Sequence, residues 1–146
     1  PLPHRARGRD GGQIMHILLT GSREWTDMNL IDTGLRALLR LVRADEPSFD
    51  QRVITIIHGG ARGADLLCAQ WAERHHLMTG EYKADWKPHG RGAGPIRNQR
   101  MLDEEQPIVC AAFLIPELPC RGTRDMIERC LRAGVPVLVT PGARHR

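Results

Sequence analysis

The segment His58-Gly59-Gly60-Ala61-Arg62-Gly63-Ala64-Asp65 puts a histidine, an arginine, a carboxylate and three glycines into one short stretch. Adjacent glycines let a backbone turn tightly and approach a ligand without a Cβ in the way. A helix starting near Arg62 would aim its free N–H groups and its positive dipole end at that ligand. The chemistry this suits is phosphate binding. Arg62 would clamp the anion. Asp65 would either cap the helix or accept from a ribose hydroxyl. A tight turn into a capped helix is the simpler alternative. The segment lacks the G-K-[ST] ending of a Walker A loop and the G-x-G-x-x-G spacing, which argues against triphosphate hydrolysis.

Three further clusters carry similar residue types. Gly21-Ser22-Arg23 offers a hydroxyl and a guanidinium to the same phosphate. The stretch from Asp85-Trp86 to Gly94-Pro95-Ile96-Arg97-Asn98 supplies a glycine-rich loop, and Arg97 and Asn98 open a helix there. Trp86 either stacks on a base or packs against the loop, while Lys87, His89 and Arg91 read as a solvated basic rim. Gly122-Thr123 opens one more helix, where Thr123 caps it or touches phosphate. His75 and His76 lack a third partner at metal spacing and read as surface residues at a helix end, so no metal is expected. No Ser/His/Asp or Cys/His triad stands out.

These clusters need elements to hold them. His16–Thr20 reads as a buried strand that runs into Gly21. Leu30, Ile31, Leu35, Leu38, Leu39 and Val42 form a helical stripe within Asp27–Arg43, with Thr26 or Asp27 as cap. Pro47 and Ser48 belong to the next loop. Val53–Ile57 is a β-branched strand. A helix over about Arg62–Leu77 and a strand at Glu81–Ala84 follow. Asp85–Pro95 reads as irregular and Ile96–Glu105 as a helix. Ile108–Leu114 is a strand, Thr123–Ala133 a helix stopped by Gly134, and Val135–Val139 a final strand whose Pro136 favours an edge position.

Strict alternation of strand and helix predicts an α/β class. The expected form is a single Rossmann-like domain with a five-stranded, mostly parallel sheet and helices on both faces. Every cluster above then falls at a strand's carboxyl end, where open parallel sheets bind ligands. The strand before Gly21 should neighbour both the second and the fourth strands.

The bulk numbers agree with one such domain. The chain has 146 residues and is 41% hydrophobic but only 4% aromatic, so its core is mainly aliphatic. Residues 1–14 read as a flexible basic N-terminal tail and 15–146 as the folded domain, with no secretory signal. No apolar run approaches the roughly 18–20 residues needed to span a bilayer. Lys83 and Lys87 are the only lysines among 21 basic residues, and the formal net charge is +4. Arginine's planar fork suits phosphate, although a codon bias would leave the same excess. Cys68, Cys110, Cys120 and Cys130 form no C-x-x-C pair, which points to reduced thiols and a cytoplasmic protein.

With these residues in view, the chain resembles the SLOG superfamily, specifically its cpYpsA-related (YAcAr) branch. The resemblance runs from about Met15 to Thr140. It rests on Gly21-Ser22-Arg23, on the segment 58–65, on Ala84-Asp85-Trp86, on Ala93–Asn98 and on Gly122-Thr123. It implies a Rossmann-like fold that binds nucleotides or nucleotide-derived ligands, in some members NAD- or ADP-ribose-type signals, and often forms dimers. Members occur in bacteria and phages. Relatives include the "lonely guy" phosphoribohydrolases and the DNA-processing protein DprA. The phosphoribohydrolases carry P-G-G-x-G-T-x-x-E before their fourth helix. Here that stretch reads Leu118–Met126, keeping Gly122-Thr123 but placing Met126 where the glutamate belongs.

The leading expectation is a binding or sensing module that holds a nucleotide through Gly21, Ser22, Arg23, the segment 58–65, Asp85, Trp86, Gly94, Arg97, Asn98, Gly122 and Thr123. A second is an N-glycosidase of a nucleoside monophosphate or of an NAD-type nucleotide. Arg97 would hold its phosphate, and Asp65, Asp85, Asp125 or Glu128 would stabilise an oxocarbenium-like state. A DNA-binding role of DprA type ranks third, because no basic stripe accompanies the modest charge. Homo-oligomers are compatible with any of these, and a membrane partner is not expected.

Overall fold

The structure, a computed structural model, describes residues 6–7, 13–45 and 54–144. Pro47, Ser48, Val53 and most of the expected tail lie outside the described residues. The elements in chain order are β1 (Ala6–Arg7), β2 (Gln13–Gly21), α1 (Met28–Asp45), β3 (Ile54–His58), α2 (Ala64–Arg74) and β4 (Met78–Glu81). There follow α3 (Trp86–His89), α4 (Ala93–Glu105), β5 (Val109–Leu114), α5 (Arg121–Arg132) and β6 (Val137–Pro141).

The main sheet runs β4-β3-β2-β5-β6 with every pair parallel. The two-residue β1 adds antiparallel to the start of β2, with Ala6 opposite Ile14. The parallel sheet therefore starts at its middle strand, winds outward through β3 and β4, and returns to the other side of β2. β2 has β3 and β5 as neighbours, as its sequence position requires, and β6 is an edge strand. This is a Rossmann-like α/β fold. A crevice opens at the carboxyl ends of β2 and β5, where the winding reverses.

Period-two alternation along the strands sorts the core into two layers. Met15, Ile17 and Leu19 of β2 face α1 and α2, together with Ile31, Leu35, Leu38, Cys68 and Trp71. Leu18 faces the opposite side, with Met101 and Leu102 of α4 and Met126 and Cys130 of α5. In α1 the buried positions Ile31, Leu35, Leu38 and Val42 recur every three or four residues, and burying each contributes about 1.5–3 kcal/mol. Asp27 caps this helix, its Oδ1 accepting from Leu30 N at 3.0 Å.

Several boundaries differ from those expected. α2 ends at Arg74, not Leu77, because His76 takes a left-handed φ of 57°. His76 N then donates to Glu73 O and Leu77 N to Ala72 O, at 3.1 and 2.9 Å, closing a Schellman cap. The early reversal moves the next strand forward to Met78–Glu81, in place of 81–84. The stretch 85–95, expected to be irregular, is largely helical, as α3, a 3-10 turn over Gly90–Gly92 and the start of α4 at Ala93. Pro95 does not break α4, because it sits in the first turn, where its missing N–H has no intrahelical partner. α5 likewise begins at Arg121, before the expected Thr123.

Candidate functional site

The loops after β2 and β3 are locked together through their backbones. Ser22 N donates to Phe113 O of β5 at 2.9 Å, and Ser22 O accepts from Ala64 N, the first residue of α2, at 3.1 Å. Ser22 Oγ accepts from Glu24 N at 3.1 Å, which closes the turn. Two glycines make this approach feasible. A Cβ on Gly21 would overlap that of Ala64. Gly63 has φ 80°, and a Cβ there would sit 2.5 Å from the carbonyl oxygens of both Ser22 and Arg23. Gly21-Ser22-Arg23 and the 58–65 segment thus form one structural unit.

Asp65 organises the rest of the loop. It is 6% exposed, and its Oδ2 accepts from Gly59 N at 3.1 Å and Ala61 N at 3.2 Å. Burial pushes its carboxyl up to about 6, against the Ala61 amide, Arg97, the Gly59 amide and Arg23, which all favour the charged form. His58 Nδ1 accepts from Gly60 N at 3.0 Å, which assigns its proton to Nε2. Burial holds this imidazole below its ordinary range, against the pull of Glu81, so His58 is a neutral structural acceptor.

A second chain of hydrogen bonds runs across the crevice. Arg97 Nη1 donates to Gly59 O and Tyr82 O at 3.1 and 3.2 Å, and its Nε donates to Asn98 Oδ1 at 3.1 Å. Asn98 Nδ2 reaches α5, donating to Gly122 O at 3.2 Å and Asp125 Oδ2 at 2.9 Å. Arg129 Nε completes the chain at 2.8 Å from the same Asp125 oxygen. Burial raises the Asp125 carboxyl, but the bonds from Arg129 and Asn98 outweigh it and hold the group below its usual range.

Between these two systems lies a cavity of about 1020 Å³ at the carboxyl ends of the strands. Gly21, Ser22, Arg23, Ala61 and Asp65 line one side, and Trp86, Gly94, Arg97 and Asn98 another. Gly122, Thr123 and Asp125 complete it from α5. Other residues singled out in the sequence stand elsewhere. His58, Gly59, Gly60 and Gly63 are behind the wall and shape it. Arg62 is outside the lining and forms an exposed ion pair at its edge, its Nη2 donating to Glu24 Oε1 at 3.0 Å. Asp85 lies outside the lining. Glu128 is exposed and also outside it, 3.9 Å from Arg132. No motif in the sequence points to Glu24, Thr26 or Arg144, which also line the cavity, as does Arg121 from the stretch 118–126. Arg91 lines it as well, while Lys87 and His89 do not.

Comparison with known proteins agrees with this architecture. The model of the YspA, cpYpsA-related SLOG family matches residues 15–89, from β2 through α3. The chain belongs to this family. The phosphoribohydrolases and DprA are its relatives within SLOG. The Gene 61 protein of Mycobacterium phage D29 is 35% identical over 130 residues, covering 86% of this chain and 95% of that protein.

Met126, which the resemblance aligns with the phosphoribohydrolase glutamate, turns away from the cavity of this SLOG domain. Met126 is 1% exposed and packs with Leu18, Ile57 and Met101. Its neighbour Asp125 is the carboxylate that α5 presents to the cavity. We expect Met126→Glu to cost at least about 3 kcal/mol, because it buries a carboxylate among apolar groups. A fall in the urea midpoint with no gain of base-releasing activity checks this. A stable variant that releases base from AMP would contradict it.

Proposed function

We propose that this SLOG domain binds a nucleotide or nucleotide-derived ligand in the cavity at the reversal of the sheet. One observation carries the reading: α2, α4 and α5 all open on the same cavity, with the Arg97 guanidinium between them. Helix N-termini and arginine forks are complementary to phosphate oxygens. Thr123 and the unshared oxygen of Asp65 suit hydroxyls, and Trp86, which is 53% exposed, suits the face of a base. Among the described residues no group of three or more His, Cys, Asp and Glu is arranged to hold a metal ion. No described helix is long and apolar enough to cross a membrane. We place the domain in the cytoplasm, as a sensing or binding module that also suits a homo-oligomer.

A second reading is favoured by Asp125. A carboxylate held ionised inside the cavity suits stabilisation of an oxocarbenium-like state, whereas a general acid would need a raised pKa. The role would be that of an N-glycosidase acting on a nucleoside monophosphate.

Calorimetry and chromatography with AMP, ADP-ribose, cyclic ADP-ribose and NAD separate the two. Saturable binding without turnover supports the module, and release of free base supports the enzyme. Arg97→Ala should weaken binding ten- to a hundredfold, roughly the loss expected for charge-assisted hydrogen bonds. Failure of the whole panel, with steeply salt-dependent DNA retention instead, would replace both readings by a nucleic-acid role.

A further inference from the structure

The segment after β6 lies far in sequence from every glycine-rich cluster, yet it reaches the same cavity. Gly142 N donates to Leu114 O at 2.8 Å, holding the chain beside the end of β5. On its other side Gly142 rests against the indole of Trp25, with no room for a Cβ between them. Trp25 is itself fixed. It is 3% exposed, its ring meets Phe113 edge-on at 5.4 Å, and its Nε1 donates to Asp27 O at 2.9 Å. The residues on either side of Trp25, Glu24 and Thr26, line the cavity. The Trp25–Gly142 contact therefore seats the segment against a wall of the site, and two residues on Arg144 joins the lining.

Arg144 makes no hydrogen bond or ion pair with any described residue. The three carboxylates of the lining are already engaged. Glu24 is held by Arg62, Asp65 by the loop amides, and Asp125 by Asn98 and Arg129. Arg144 thus adds positive charge to the cavity that no lining carboxylate pairs with.

We infer that Arg144 is a ligand-binding residue, carried into the site by the Gly142–Trp25 contact, and that it contacts an anionic group of the ligand. This rests on the cavity being a nucleotide site. The fold accounts for the arrangement. β6 is parallel to β5 and ends at the same edge as the other strands, so the chain leaving it must pass the site.

The test is calorimetry of wild type, Arg144→Ala, Arg144→Lys, Arg97→Ala and Arg40→Ala with AMP and with ADP-ribose, alongside melting curves. Arg144→Ala should lose roughly tenfold in affinity for at least one of the two, as for one lost charge-assisted contact. The loss should grow at low salt, and Arg144→Lys should recover part of it. Its melting temperature should match wild type, because the side chain has no partner among the described residues. Arg40, on the exposed side of α1, controls for bulk charge and should leave affinity unchanged. If Arg144→Ala and Arg40→Ala bind as wild type while Arg97→Ala does not, the inference is wrong and the nucleotide site stands. If wild type binds neither probe, the nucleotide reading falls and this one with it.

Discussion

Gly63→Val should destabilise the domain by about 3 kcal/mol or more and abolish ligand binding. Two costs add. The left-handed φ of 80° is strained for a β-branched residue, at about 1–3 kcal/mol. The new Cβ also meets the carbonyls of Ser22 and Arg23. Those are backbone atoms, so they yield only if the bonds from Ala64 N to Ser22 O and from Ser22 N to Phe113 O lengthen or break. Relief of the clash therefore pulls β2, β5 and α2 apart at the site itself. Gly122→Ala is the matching control. Nothing lies within 4 Å of a Cβ at Gly122, and its φ is not positive. That change should leave stability unchanged or raise it by about 0.5–1 kcal/mol, since alanine favours helix. Urea denaturation of both variants checks the contrast. Equal midpoints would refute the claim that the two loops interlock.

Asp65→Asn should remove a pH dependence worth about 3 kcal/mol. The folded carboxyl titrates at about 6, against 3.8 for an unperturbed group, and a tenfold difference in proton affinity is worth about 1.4 kcal/mol. Because the folded state holds this proton more tightly than the unfolded state, its contribution is full below about pH 4. It is lost as pH rises through about 6. The asparagine carries no titrating proton but keeps an oxygen for Gly59 N and Ala61 N. The stability difference between variant and wild type should therefore shift in the variant's favour between about pH 4 and 7. The measurement is paired urea curves across that range. A difference that stays flat would mean Asp65 titrates normally. Anion binding should follow the same sign, weakening as Asp65 ionises beside the ligand.

How much of this is legible in the sequence depends on where each signal is stored. The central strands are readable because β-branched and aliphatic runs alternate with helical stripes, whereas β4, with the sequence MTGE, carries no such run and lies three residues before the expected 81–84. Gly134 announces the end of α5 because glycine is the usual left-handed cap. The cap of α2 has the same geometry but is built on His76, so nothing in its residue type gives it away. The glycine-rich segment stands out by composition, but its polar side chains divide in a way that only the fold decides. Asp65 turns inward to the loop amides, whereas Arg62 stays exposed and pairs with Glu24 at the edge of the cavity. The resemblance to the phosphoribohydrolases aligns Met126 with a catalytic glutamate. The helical phase of α5 sends it into the core and leaves Asp125 to face the cavity. Arg144 is invisible at that level because its place depends on Trp25, distant in sequence.

The grip between Gly63 and the Ser22–Arg23 backbone also bears on transplanting this site. Neither loop holds its shape on borrowed strands, since each uses the other's carbonyls or amides as its template. A designer moving the site to another parallel sheet must carry both loops, the two adjacent strands and the start of α2 as a single cassette. Grafted alone, the more conspicuous glycine-rich loop should arrive as an unstructured turn.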